Sequence, residues 1–512
     1  MSIILNNNYI CKPTTTLPKT MQIETDKVKL IFGLKVKQLR LEKQLSQLDL
    51  SQLAGVAHSY INEIEKGKKY PKTDKIITLA RVLDVSYDQL VSLHLDKKLA
   101  PIANLLDSNI LNDLPLDMFG ISISDFLELM SGAPTKLGAF VNTIIEISRA
   151  YGMRVEQFYF SVLRTYQEMH DNYFPELEAA AERCATHIGQ SLTASNIEQV
   201  LAQQYGYHFE TFDESTQPDL TSIRSYFRPQ KNNMLSINQR LSTEQRTFTL
   251  ARELGYQFLG LTDRSLVSSV IEAQSFDQVL NNFKASYFAG ALLMPQAVLV
   301  PQLTYFFGQS QWQPATFMQM LGQFQVTPEM FMQRVSHITT HFFGITNQFF
   351  MRFNHSSGQN RFLKVREMRL SDVHRPPSTI SEHYCRRWVS MEILRELDTV
   401  QQKNTWNGSA ILRAQIAEFI ETKDQYLVIA LARNSPPVAN LNSSISLGFK
   451  IDDQLKKVVH FLNDQSINQQ QVSETCERCA LTDCAVRAVP ASIYNRYESL
   501  DKLKKAVSLA LE

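Results

Sequence analysis

The sequence predicts a multi-domain α+β protein, mainly helical. Three observations predict it. At 512 residues the chain exceeds what one core organises, since single cores stop growing near roughly 250–300 residues. Apolar residues recur at helical spacing where the ordered part opens, and the region 96–200 is helical and amphipathic throughout. Three of six cysteines crowd into nine positions near the end, which marks a separate chemistry there. Composition is ordinary for a globular protein, with 44% hydrophobic and 20% charged residues. Net charge is +1, so any nucleic-acid footprint must be local. The start lacks a basic segment followed by an apolar run, so no secretory signal is read. Residues 285–328 carry no charged side chain, but Pro295, Pro301 and Pro314 interrupt them. That stretch reads as buried core plus an uncharged loop rather than a membrane span. A cytoplasmic location is the expectation.

Residues 1–26 read as a flexible tail. From there Val28, Ile31, Phe32, Val36 and Leu39 form one stripe at three- and four-residue steps, with Lys29, Lys35, Lys37 and Arg40 off it. Ser46 is an N-cap with Asp49 three positions on, starting a helix over 47–54. Gly55 permits the turn. A second short helix over 57–65 points Ile61 and Ile64 inward and leaves His58, Ser59, Tyr60 and Asn62 largely outside. Thr73 and Ser86 start two more. Between 28 and 72 there are nine Lys and Arg against four acids (Glu42, Asp49, Glu63, Glu65), a surplus of five in a chain whose total is one. Phosphate neutralisation needs such an excess.

Helix, glycine turn, helix of this size fits a motif that lays its second helix in the major groove. Residues 39–71, LRLEKQLSQLDLSQLAGVAHSYINEIEKGKKYP, closely resemble the XRE (Cro/C1-type) helix-turn-helix family. The resemblance implies that Gln47 touches a phosphate or base and that His58, Ser59 and Asn62 face base edges. Tyr60, Lys68 and Lys69 complete the candidate DNA-binding set. Ala57 stands where the family often has a serine cap. A helical protein-interaction module, antitoxin-like, is the alternative.

Residues 245–261, QRTFTLARELGYQFLGL, with 283–295, FKASYFAGALLMP, resemble the ImmA/IrrE metallopeptidase family. There an HExxH helix binds zinc through two imidazoles and activates water with its Glu. This chain keeps Glu253 but has Arg252 and Tyr256 at the histidine positions. Arginine has no lone pair to give. The resemblance therefore implies the scaffold without zinc and without catalysis. Glu253 beside Arg252 reads as a solvated helical face. An active ImmA/IrrE-type peptidase cutting a partner repressor is the rival. His337 and His341, also four apart, have Ile338 where a catalytic Glu would stand and read as ordinary surface or core histidines.

The segment CERCALTDCAVRAVP, 476–490, spaces Cys476, Cys479 and Cys484 as C-x2-C-x4-C. Such a pair places two thiolates on one ion, and Cys385 is the candidate fourth ligand. Zinc, an iron–sulfur cluster, a redox-active thiol group and a buried apolar group all remain open. Arg478 and Arg487 would lower the thiol pKa values. Cys11 and Cys184 stand alone, and Cys184 reads as a buried helix residue. The arrangement resembles the C-terminal domain of the short-chain fatty acyl transcriptional regulators, the RamB-like group. Its matching pieces are Cys385 and Trp388, Gln415 with YLVIALAR, Leu447 with Gly448, and the cysteine terminus; Phe449 stands where a further Cys is expected. The resemblance implies a short-chain acyl-CoA effector and control of transcription; with both histidines of the peptidase-like helix replaced, no enzymatic role is expected.

The resulting expectation is five segments: a tail (1–26), the helix-turn-helix (27–95), a helical linker or dimerisation region (96–200), an ImmA/IrrE-like domain (201–345) and a cysteine-containing sensor (346–512). A homodimer reading a near-palindromic operator is expected, because one short helix reads too few base pairs.

Overall fold

The computed structural model describes residues 19–93, 143, 155–189, 191–268, 273–356, 362–370 and 382–511. The chain divides into two compact units, Met1–Phe158 and Tyr159–Glu512.

Between residues 19 and 93 the first unit packs α1 (Lys19–Glu42), α2 (Gln47–Ala54), α3 (His58–Glu65), α4 (Thr73–Leu83) and α5 (Tyr87–Val91). The tail expected over 1–26 is corrected at its end, since α1 already begins at Lys19. Residues 19–26 hold neither Gly nor Pro, so nothing stops the helix from extending outward. Ser46 and Asp49 form the expected capping box, as do Ser86 and Gln89. Gly55 closes α2 at φ 62°, the left-handed region that glycine enters without strain. Phe32 and Val36 of α1 meet Leu50, Ile61, Ile64 and Leu79 in one core. Gly33 lets α1 cross α3 closely: a Cβ there would stand 2.1 Å from the Ile64 carbonyl oxygen.

The second unit holds α6 (Val155–Met169), which starts just before the division, then α7 (Pro175–Ile188) and α8 (Ala194–Tyr205). A three-stranded sheet follows, from β1 (His208–Phe212), β2 (Ser225–Arg228) and β3 (Met234–Asn238), in the order β1-β3-β2. Helices α9 (Thr243–Phe258), α10 (Phe276–Leu293), α11 (Gln296–Phe307), α12 (Pro314–Phe324) and α13 (Pro328–Phe343) come next. Of the buried core and uncharged loop expected within 285–328, the core is the end of α10 and two further helices, α11 carrying Pro301 internally, and residues 308–313 are the loop between those two. Their apolar faces supply Leu299, Leu303, Phe306 and Phe317 to the core. Among the described residues no single helix is long and apolar enough to cross a membrane; one pair, α10 with α11, bent by 72°, passes that test together.

A six-stranded sheet completes the unit, from β4 (Gln348–Ser356), β5 (Phe362–Leu370), β6 (Ile411–Phe419), β7 (Gln425–Asn434), β8 (Leu441–Lys450) and β9 (Asn468–Val472), in the order β5-β4-β8-β7-β6-β9. Both faces are covered. Leu427, Ile429 and Leu431 of β7 join a core with α11–α13, while Val428, Ala430 and Ala432 join a second core with α14 (Val389–Gln402). A strand buried on both faces reads as an unbroken apolar run, here YLVIALA. The boundary expected at 345/346 thus falls between a helix and a strand that share one core, and the one at 200/201 falls inside α8. Of the expected linker, most of 96–154 lies outside the described residues. Short α15 (Asp453–Val458) and the exposed α16 (Ser492–Leu511) end the fold.

Candidate functional site

On the first unit, α3 stands on Ile61 and Ile64, both fully buried. With those two turned inward, His58 and Ser59 are exposed and Tyr60 and Asn62 half-exposed. Tyr60 also rests partly on the core, and Lys69 Nζ lies 5.1 Å from its ring. Lys68 and Lys69 are exposed just beyond the helix. Ala57 caps α3 without a side-chain hydrogen bond.

Two basic residues from the sequence count serve the fold instead of the surface. Arg40 is 7% exposed and grips Glu65. Lys35 Nζ donates to the carbonyls of Gln89 and Ser92. Gln47 Nε2 donates to Glu65 Oε2 at 2.7 Å, which orients its amide toward the end of α3.

In the second unit, the solvated helical face expected for Glu253 is corrected. Glu253 is 1% exposed. Arg264 donates to both its oxygens, at 2.7 and 2.8 Å, and Tyr207 donates to it at 3.3 Å. The Arg264 guanidinium lies 3.8 Å from the Tyr256 ring centroid and 4.7 Å from that of Phe227. Tyr256 is buried, and its hydroxyl meets Asn282 at 3.1 Å. Burial raises the Tyr256 pKa. Arg252 donates to the Ser268 carbonyl at 2.8 Å. Two aromatic walls and a carboxylate floor thus hold a guanidinium. Arg264 escaped the sequence reading because it lies in a loop outside the helix that carries the motif. His337 and His341 do not converge: they stack on Tyr287 and Tyr173 respectively.

The four cysteines chosen from the sequence line one small cavity. Cys385 is carried there by a short antiparallel pairing: Tyr384 bridges Thr475, Cys385 N donates to the Glu474 carbonyl, and Cys476 N to the His383 carbonyl. Gln415 braces the Cys385 turn, accepting from Val389 N and donating to the Arg387 carbonyl. Trp388 Nε1 donates to the Ser473 carbonyl. Phe449 is fully buried in the core on the helical face of the sheet. Cys184, alone on α7, is 1% exposed, and burial pushes its thiol up to about 11; Cys11 lies outside the described residues.

The expected lowering of the thiol pKa values by Arg478 and Arg487 is corrected for Cys385, whose thiol burial pushes up to about 11. Arg478 is bound to Glu382 at 2.7 Å, and Arg487 caps the carbonyls of Cys476, Cys479 and Leu481. Four soft sulfur donors around one pocket suit a thiolate-bound metal by chemistry. By geometry, no three His, Cys, Asp or Glu side chains among the described residues are arranged to hold an ion. The residue types suit a soft metal, and their positions do not form a ligand set.

Residues 36–90 match the helix-turn-helix family and residues 203–336 the IrrE N-terminal-like domain family. The chain carries both domains, in the order read from its motifs. Among curated proteins it is similar to the HTH-type transcriptional regulator PrpR of Mycobacterium tuberculosis, 25% identical over 284 residues, 51% of this chain and 56% of that protein. The propionyl-CoA carboxylase regulator of Cereibacter sphaeroides is 21% identical over 289 residues, 52% of this chain and 58% of that protein. The HTH-type transcriptional regulator RamB of M. tuberculosis is 24% identical over 291 residues, with the same two shares. The matches span little more than half the length of these relatives. A solved M. tuberculosis transcriptional regulator aligns over 65% of this chain and 93% of its own, at 18% identity and a TM-score of 0.43.

Proposed function

We propose that this chain is a sequence-specific regulator of transcription that binds double-stranded DNA through α3. The observation that carries this reading is the face of α3: His58, Ser59, Tyr60 and Asn62 turned outward from a helix that Ile61 and Ile64 anchor, with Lys68 and Lys69 at its end. Short polar side chains on a rigid helix read base edges, and flanking lysines neutralise phosphates. The curated relatives named as HTH-type transcriptional regulators support it. A homodimer on a near-palindromic operator follows, since eight residues of helix specify few base pairs. A cytoplasmic site of action goes with that role.

The sensing half takes a small metabolite, a short-chain acyl-CoA. The relative named as a propionyl-CoA carboxylase regulator supports that chemistry. Cys385, Cys476, Cys479 and Cys484 hold zinc or an iron–sulfur cluster, which ties the sheet's Cys385 turn to the chain's C-terminal loop. The chain has no peptidase activity: Arg252 and Tyr256 stand at the positions of zinc ligands, and Glu253 is bound to Arg264.

Footprinting on the chain's own promoter, at moderate salt, tests the DNA reading. A protected near-palindrome that disappears with Asn62→Ala is expected. No protection by the wild-type chain overturns it.

A further inference from the structure

The degenerate motif helix and the neighbouring sheet edge make a site that the regulator reading does not use. Strand β2 is an outer strand of the three-stranded sheet. Residues 265–268 lie along it as a short antiparallel partner. Tyr226 bridges Val267, Phe227 N donates to the Leu266 carbonyl at 2.7 Å, and Ser268 N to the Ser225 carbonyl at 2.8 Å. That is the bonding of an added strand. Just before it, Arg264 drops into the pocket of Glu253, Tyr256 and Phe227. At its far end, Arg252 donates to the Ser268 carbonyl at 2.8 Å. All three residues at the altered motif, Arg252, Glu253 and Tyr256, therefore hold one five-residue segment. A cleft of about 750 Å³ runs beside it, with Gln257, Asp263, Gln274 and Gln278 on its walls.

We propose that this groove is a binding site for an extended, arginine-anchored peptide, occupied in cis by residues 264–268. Main-chain bonds to β2 supply affinity without regard to sequence. The acidic, aromatic-walled pocket supplies selectivity, since a planar guanidinium matches a carboxylate by two bonds and stacks on rings, which an ammonium does not. A segment of the same character on another chain competes with the strap for β2. The cis segment acts at the high effective concentration of a tethered ligand, on the order of millimolar, so the groove opens only to a strong competitor or when the strap is weakened.

The test uses the full chain and a fluorescent synthetic peptide with the sequence of residues 262–268, TDRSLVS. Arg264→Ala empties the pocket. By anisotropy it should bind the peptide at least about ten-fold tighter than the wild-type chain does. The same peptide with alanine for arginine should bind about ten-fold more weakly. Glu253→Gln combined with Arg264→Ala should lose that preference for arginine. Because Arg264→Ala leaves a buried carboxylate without its countercharge, hydrogen exchange on the wild-type chain supplies a second reading that does not depend on the folding of that variant. Millimolar peptide should speed exchange at the Ser268 amide while Phe227 stays protected. A folded Arg264→Ala chain without saturable binding, equal binding of the arginine-free peptide, or unchanged exchange at Ser268 overturns the proposal.

Discussion

Arg40 and Glu65 form a buried two-point ion pair, Nε to Oε1 at 2.6 Å and Nη2 to Oε2 at 3.0 Å, joining α1 to the last residue of α3. Arg40 Nη1 also donates to the Leu45 carbonyl and Gln47 to Glu65. The start of α2 and the end of α3 are thus fixed to one charge cluster, which sets the angle at which α3 is presented.

Arg40→Ala leaves the Glu65 carboxylate, 2% exposed, without its countercharge. The expected cost is about 3–5 kcal/mol to the first unit, whereas Arg40→Met with Glu65→Leu recovers most of it. Urea unfolding followed by circular dichroism separates the two. A single variant within about 1 kcal/mol of wild type would show that the pair is solvated in solution.

Asn62→Ala and Lys68→Ala should fail differently on DNA. Losing an amide that reads a base costs about 1–3 kcal/mol and relaxes selectivity at one operator position. Losing a phosphate contact weakens all sequences alike and reduces the slope of log K against log salt by about 1. Binding titrations on operator and scrambled duplexes at several salt concentrations distinguish them; identical profiles would remove α3 as the reading element.

Metal and acid-labile sulfide analysis of anaerobically purified protein checks the cysteine site. Zinc alone, or iron with sulfide, is expected, and Cys479→Ser should lose it. Chelation should then destabilise the C-terminal loop, because ligand binding to the folded form is linked to its stability. Metal retained in full by Cys479→Ser, or absent from the wild type, contradicts the centre.

Acetyl-, propionyl- or butyryl-CoA at micromolar concentration should shift operator affinity, since an effector acts only through unequal affinity for two states. Operator binding indifferent to all three rules out the acyl-CoA reading.

Cys184 carries a pH signature. Burial pushes its thiol from 9.0 up to about 11. The folded-state value lies above the unfolded one, so this stabilisation is complete below about pH 9 and is lost as pH rises through about 11. Thermal unfolding should show up to about 3 kcal/mol of alkaline destabilisation. Cys184→Ala should flatten that part of the profile, at the cost of a small cavity.

The helix-turn-helix was legible because its signals are local. Ser46 with Asp49, Gly55 and the inward pair Ile61 and Ile64 each act within one or two turns, and each appears where the pattern put it. The cysteine set was legible as chemistry, since residue type and C-x2-C spacing do not depend on the rest of the chain. The union of Cys385 with the C-terminal trio was not legible, because Cys476 lies 91 positions beyond Cys385 and only the pairing of 383–385 with 474–476 closes that distance.

By itself the sequence determined the helical head, the domain order, the altered motif at Arg252, Glu253 and Tyr256, and which cysteines to consider. Only the tertiary structure decided what surrounds them. Glu253 reads as solvated beside Arg252 on one helix, yet Arg264 arrives from a loop and neutralises it in the interior. Arg40 counts as a surface cation in a tally of charges, yet folding buries it against Glu65. Local patterns arise from bonds within a few residues; burial and charge pairing arise from which distant segments the core brings into contact.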